Sequence, residues 1–204
     1  MGAKDLAGGL WARLYDLSMR RGERAGMQQR RRALLEGAHG RTLEIGAGTG
    51  LHAALYPPGL DRLVLTEPDP HMAGRLRRRA GRAEVVVAGA EALPFADASF
   101  DTVVATLVLC TVPDPAAALA EVRRVLADDG ALLFIEHVRS DDPRVARRQD
   151  RLRRPWAALA GGCRCNQPTL ALMAAAGLDT AGVEHHVYRR APAIVRRLAV
   201  GSAV

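Results

Sequence analysis

Lysine is nearly missing from this 204-residue chain: Lys4 is the only one among 29 basic residues. The matching excess of Arg, Ala and Gly is that of a GC-rich genome. The formal charge of +7 is therefore read first as arginine on solvated helix faces, with a phosphate-binding surface as the sharper alternative. Aromatic residues are also scarce, at 4%. The runs Arg30-Arg31-Arg32 and Arg77-Arg78-Arg79 have none interleaved, so stacking on single-stranded nucleic acid is not expected and no nucleic-acid partner is assigned. Cysteine occurs three times, an odd and sparse set that points to reduced thiols in a cytoplasmic protein rather than a disulfide framework. Long apolar runs are missing too. The stretches free of charge, Thr102 to Pro113 and Cys165 to Leu178, fall short of the ~18 to 20 apolar residues of a membrane span. The start of the chain has no apolar h-region, so secretion is not expected. With 49% hydrophobic and 25% charged residues, the chain has globular composition and the length of one domain, 1–204.

Within it, residues 1–40 read as a helical cap, with Leu10, Leu14, Leu17, Ala33 and Leu34 at helix-like spacing over 10–36. Residues 41–138 read as alternating strands and helices. Strands are expected at 41–47, 62–67, 85–87, 101–107 and 131–138. Helices are expected at 50–55, stopped by Pro57-Pro58-Gly59, at 71–80, and at 115–126, capped by Asp114 and ended by Asp128-Asp129-Gly130. The strands are near-continuously apolar, as strands buried on both faces are. The fold class that follows is α/β: a doubly wound, mostly parallel, seven-stranded sheet with helices on both faces. Residues 139–165 read as an irregular, arginine-rich lid. Residues 166–204 read as a helix at 168–176 and an antiparallel hairpin near 181–189 and 193–203.

The first strand runs directly into Glu44-x-Gly46-x-Gly48-x-Gly50, and Glu67 ends the second. In a doubly wound fold the ligand sits at the carboxyl ends of the strands, where glycines let the backbone approach it and an acid accepts two ribose hydroxyls. A nicotinamide dinucleotide is one reading. The loop, however, is not the G-x-G-x-x-G pyrophosphate fingerprint, and a carboxylate at Glu44 suits an ammonium better than a phosphate. S-adenosylmethionine, a nucleoside with an amino-acid tail and no phosphate, fits better. A tight strand–helix turn with no ligand remains the bland reading of such a loop.

Ala90-Glu-Ala-Leu-Pro-Phe95 and Asp97-Ala-Ser-Phe-Asp101 follow at the places where adenine and the fourth strand belong. With Leu43 to Gly50, Tyr56 to Gly59, Thr106 to Val112, Phe134 to Val138, Trp156, Gly162-Cys163 and Asn166, they make the chain resemble the class I S-adenosylmethionine-dependent methyltransferases, over about residues 10–204. It resembles the small branch of ubiquinone/menaquinone-type enzymes. Within it, the chain looks most like the phosphatidylethanolamine N-methyltransferase-like proteins and the microsomal alkyl thiol methyltransferases. The resemblance implies that Glu44, Gly46, Ala47 and Gly48 lie at the cofactor's amino-acid part, and Glu67 with Pro68 at the ribose. It implies Ala90 and Glu91 at the adenine, Thr106 and Leu107 at the methionine portion, and Tyr15 in a helix covering the cofactor. Many relatives place Asp where Gly89 stands, so the adenine amino group would need Glu91, backbone or water instead. The microsomal relatives' N-terminal anchor is not seen in this sequence, so membrane residence is not carried over.

Methyl transfer needs alignment, exclusion of water and at most a modest base. Glu136-His137 closes the fifth strand, and neighbouring strand residues point to opposite faces, so only one can meet the acceptor. His137 is taken as the candidate base; a packed structural histidine is the equal alternative. Cys110, Trp156 and Arg164 are taken as candidate acceptor contacts, beside the blander readings of buried cysteine, core cap and solvated arginine. No metal is expected, since zinc needs four ligands at recognisable spacing. Trivalent arsenic would need Cys110 to meet Cys163 and Cys165 in space. His39, His52 and His71 receive no role, and His185-His186 is read as a surface pair. The expected acceptor is a small thiol. Amine or phospholipid-headgroup N-methylation, an RNA-modifying protein and a silent binding module are the alternatives.

Overall fold

The structure, a computed structural model, describes the backbone of residues 3–204 and the side chains of residue 12 and residues 14–204. One sheet of seven strands organises it. In chain order these are β1 Arg41–Ile45, β2 Arg62–Thr66, β3 Glu84–Val86, β4 Phe100–Thr106, β5 Leu126–His137, β6 Glu184–Val187 and β7 Arg197–Ala203. Their spatial order is β3-β2-β1-β4-β5-β7-β6. The first five are parallel; β7 runs antiparallel to β5 and β6. The order reverses between β1 and β4, which opens a ligand crevice beyond their carboxyl ends. Leu43, Ile45, Val103, Phe134 and Leu132 are fully buried, as strands covered on both faces require. With few aromatic residues, the core relies on aliphatic side chains and one edge-to-face pair, Phe95 on Phe100, 5.0 Å between centroids.

Six helices accompany the sheet: α1 Ala3–Gly22, α2 Gln28–Leu35, α3 Pro70–Arg77, α4 Pro115–Val125, α5 Pro143–Leu159 and α6 Thr169–Ala175. Three begin on the same device, an aspartate cap followed by proline. Asp69 accepts from His71 and Met72 N–H, Asp114 from Ala116 and Ala117 N–H, and Asp142 from Arg144 N–H.

The structure departs from the sequence reading in several places, among them a break of the N-terminal helix at Gly26 (φ +118°) and a 3-10 turn, Ala193–Val195, where the last strand was expected to begin. The helix expected at 50–55 is a single 3-10 turn, Ala53–Leu55, because Gly50 enters at φ +80° and Tyr56 is already extended before the proline pair. The strand expected from 131 starts at Leu126: Asp128-Asp129-Gly130 does not leave the sheet but makes a register shift between Phe100 and Thr102 of β4. The segment 139–165 is not irregular; it is largely α5, whose arginines face solvent while Ala146 and Gln149 are buried. Finally, Leu14 and Leu17 of α1 are exposed, not core. That helix is anchored instead through Asp16, which takes bonds from Arg75 (2.8 Å), Arg79 (2.6 Å) and Thr49. The side chain of Leu10 lies outside the described residues.

Candidate active site at the sheet switch point

The loop after β1 carries bare main chain into the crevice. Gly46 and Gly48 both adopt φ +59°, a conformation costly for any residue with a Cβ. A Cβ on Gly46 would fall 2.7 and 2.8 Å from the two methyls of Val108. Gly46→Ala is expected to cost about 1 to 3 kcal/mol through backbone strain and this clash. Urea denaturation measures it, and an unchanged midpoint contradicts the assignment. Ala47 is buried and its N–H donates to Thr66 O (2.8 Å), fastening the loop to β2.

Asp16 places α1 over this loop, since its three partners, Thr49, Arg75 and Arg79, belong to the loop and to the region of α3. Tyr15 follows: its ring lies 3.9 Å from the position of a Cβ on Gly48. Burial raises the Tyr15 hydroxyl to about 12. Tyr15 thus lies against the glycine loop.

Glu67 ends β2 as expected. Its carboxylate accepts from Gly48 N–H (2.9 Å) and Asp69 N–H (3.0 Å), one oxygen each. A carboxylate offers about four lone-pair sites, so two remain for ribose hydroxyls. Burial raises its pKa. Pro68 is exposed and turns the chain into the Asp69 cap. Ala90 is buried. Glu91 accepts from Asp114 N–H (3.3 Å), and its other carboxylate oxygen lies 3.2 Å from where a Cβ on Gly89 would be. Glu91 therefore reaches toward the position at which relatives carry Asp.

Glu44 does not open to the crevice alone. Its carboxylate takes His52 Nδ1 (3.0 Å) on one oxygen and the Tyr56 hydroxyl (2.8 Å) on the other. His52 Nδ1 also lies 3.3 Å from Thr106 Oγ1 and 3.3 Å from the Arg31 guanidinium, which in turn donates to Glu23 (3.2 Å). This buried network was not foreseen: His52 and Arg31 had no assigned role. The spacing Glu44 to His52 across the glycine loop was a legible signal, whereas Arg31 comes from a distant helix and carried none. Burial, and then Arg31, lower the His52 pKa, so the ring is neutral, and its Nε2 is buried with no hydrogen-bond partner among the described residues.

At the end of β4, Leu107 holds φ +60°, strained for a leucine, with its N–H on Ile135 O (2.8 Å). The next turn is pinned by Glu136. Its Oε1 accepts from Val108 N–H (2.7 Å) and Leu109 N–H (2.9 Å), and burial raises the carboxyl to about 8. His137, its neighbour, stacks on Tyr188 at 6.0 Å. Burial, and then the Arg31 charge, lower the imidazole to about 4, against a backbone bond to Val195. Its Nδ1 is buried with no partner among the described residues.

The candidate acceptor contacts divide. Trp156 packs on a cluster of Cys110, Cys163, Cys165, Ile194 and Val195. One guanidinium nitrogen of Arg164 bonds to the carbonyls of Val112 and Pro113, and its backbone N–H donates to Cys110 O (2.7 Å), so this residue clips the chain and is less available to a ligand. His185 and His186 are paired with Arg197 and Glu184 at the surface, and His39 bonds within its turn. No group of three or more His, Cys, Asp or Glu suited to a metal ion occurs among the described residues.

Together the loop, Glu67 and the polar network fit a nucleoside bearing an amino-acid tail. The missing helix at 50–55 removes the helix N-terminus on which a dinucleotide's pyrophosphate would rest.

Residues 43–134 match the family model described as a methyltransferase domain. Among curated proteins, human thiol S-methyltransferase TMT1B is 42% identical over 113 residues, 51% of this chain and 46% of that protein. The phosphatidylethanolamine N-methyltransferase of Cereibacter sphaeroides is 34% identical over 140 residues, 64% of this chain and 66% of that protein. The chain spans about half the length of the thiol S-methyltransferases it matches. Among solved structures, a SAM-dependent methyltransferase of Thermotoga maritima superposes with a TM-score of 0.70 at 22% identity, over 95% of this chain and 97% of that one.

Proposed function

From the premise that the chain carries a methyltransferase domain on the class I S-adenosylmethionine-dependent fold, we propose that it methylates the sulfur of a small thiol. S-adenosylmethionine, when bound, supplies a methyl group already activated on a sulfonium. The protein's part is to bind, orient and exclude water. Glu67 takes the ribose hydroxyls, and the main chain of Gly46, Ala47 and Gly48 seats the amino-acid tail with Glu44 behind it through His52 and Tyr56. Ala90 and Glu91 meet the adenine, Thr106 and Leu107 flank the methionine portion, and Tyr15 closes the crevice to water.

The observation that carries the acceptor reading is the 42% identity to human thiol S-methyltransferase TMT1B over 51% of this chain; within the site, burial and then the charge of the buried Arg31 oppose protonation of both His52 and His137. The Arg31 charge also favours a thiolate over a thiol and a free amine over an ammonium. Both reactive forms, thiolate and free amine, gain from this charge, so the choice of sulfur rests on the similarity to the thiol S-methyltransferases. His137 is the proposed base: it is neutral, and its buried Nδ1 is the open acceptor for the thiol proton. Cys110 and Trp156, which share one apolar cluster, are the proposed acceptor contacts.

Turnover of S-adenosylmethionine with small alkyl thiols, against amines of the same shape and against phosphatidylethanolamine vesicles, tests the reading. Methyl transfer to thiols is expected; transfer to amines or headgroups alone overturns it. His137→Ala is expected to lower turnover about 100-fold while cofactor affinity holds. Equal turnover removes it as the base. Among the described residues no helix is long and apolar enough to cross a membrane. We place the reaction, with its free thiols, in the cytoplasm.

A further inference from the structure

Cys110 and Cys163 come from segments 53 residues apart, yet their sulfurs lie 3.7 Å from each other inside the protein. Both thiols are free, and Cys163 is the less buried, 6% exposed against 1%. Cys165 belongs to the same cluster but is committed elsewhere, its S–H donating to Gln149 O at 3.5 Å. The backbone around the pair is already clamped. Arg164 N–H donates to Cys110 O at 2.7 Å, and the Arg164 guanidinium holds the carbonyls of Val112 and Pro113. The two chains are thus held together without a bond between the cysteines, and a disulfide needs only an approach of the sulfurs to about 2.05 Å.

We infer that Cys110 and Cys163 are a thiol–disulfide exchange site that reacts with low-molecular-weight disulfides and closes an internal bond. The two members are unequal. The neighbouring Cys110 thiol lowers the Cys163 pKa, against the opposing effect of burial. The bond to Cys163, and then burial, raise Cys110. Cys163, the more exposed of the two, is the attacking thiol, and reacts as its thiolate. Cys163 attacks one sulfur of R–S–S–R, forming Cys163–S–S–R and releasing the first RS⁻. Cys110 gives its proton to that thiolate and attacks the Cys163 sulfur, releasing the second RS⁻, which takes up the proton lost from Cys163. Two protein thiols are oxidised, and one small disulfide is reduced to two thiols. The stretch before Cys163 carries Gly161 (φ +58°) and Gly162 (φ +89°), so no side chain from these two positions stands between the more exposed Cys163 and solvent. If the acceptor is a thiol, as proposed above, the oxidant is the oxidised form of the acceptor's own class.

The test is independent of methyl transfer, so its failure leaves the acceptor reading untouched. The full chain is treated with 2-hydroxyethyl disulfide, and its thiols are counted after denaturation. Peptide mass spectrometry follows. The expected result is loss of two of the three thiols, a single Cys110–Cys163 cross-link and full reversal by dithiothreitol. Cys165→Ser is expected to form the same cross-link. Cys110→Ser, or Cys110→Ala if the first fails to fold, is expected to stop as a mixed disulfide on Cys163. Retention of all three thiols, a Cys163–Cys165 bond, or a mixed disulfide that persists in the unaltered protein would overturn the proposal.

Discussion

Replacing Glu136 with alanine lowers the free energy of unfolding by about 2 to 4 kcal/mol, because two buried N–H groups lose their only acceptor. Those groups belong to Val108 and Leu109, in the turn that follows β4. Glutamine keeps an oxygen at the same place and is expected to restore most of the loss. The wild type also acquires a pH dependence from this residue. Burial raises the folded carboxyl to about 8 from an ordinary value of 4.5. Between these two values the folded chain retains a proton that the unfolded chain has released, so stability falls as pH rises across that window. Glu136→Gln flattens that limb. His137 acts in the opposite sense. Its folded value of about 4 lies below the ordinary 6.5, so stability falls as pH drops from 6.5 toward 4. Urea midpoints of the unaltered protein above pH 6.5 give the Glu136 limb, and those of Glu136→Gln below pH 6.5 give the His137 limb, because the two slopes cancel where they overlap. A flat limb contradicts the burial argument for its group.

Glu67→Ala weakens cofactor binding by about 1 to 3 kcal/mol, from the loss of two ribose hydrogen bonds to a charged acceptor. That corresponds to roughly 5- to 150-fold in Kd. The carboxylate also accepts from Gly48 and Asp69 N–H, so the glycine loop loses a support at the same time. Glu67→Gln separates the two effects. Its amide oxygen replaces one carboxylate oxygen and keeps one backbone bond, leaving an intermediate loss. An affinity equal to wild type in Glu67→Ala would remove the end of β2 from the cofactor site.

The parts of the fold legible in the sequence are those encoded locally. Aspartate–proline pairs announce α3 and α4, and β-branched runs announce β1, β2 and β4, because caps and strand propensity act within a few residues. The same device at Asp142-Pro143 starts α5, but an arginine-rich composition hid the helix, whose stability comes from burying Ala146 and Gln149 rather than from an apolar stripe. The expected helix at 50–55 failed for the opposite reason: a glycine start and a proline stop leave room for one turn only. In the proposed cofactor site, the acid at Glu67 and the glycines are readable because each directly follows a strand that the sequence announces. The Arg31–His52–Glu44 network and the meeting of Cys110 with Cys163 were not. Their partners lie 21 and 53 residues apart, and only the closed fold brings them together.

The most direct test of the account is calorimetric titration of the intact chain with S-adenosylhomocysteine, the demethylated form of the cofactor, beside NADH as the dinucleotide. The account predicts one binding site per chain for S-adenosylhomocysteine, weakened in Glu67→Ala, and no heat with NADH. No binding of S-adenosylhomocysteine by the folded protein, or NADH bound in its place, would contradict it.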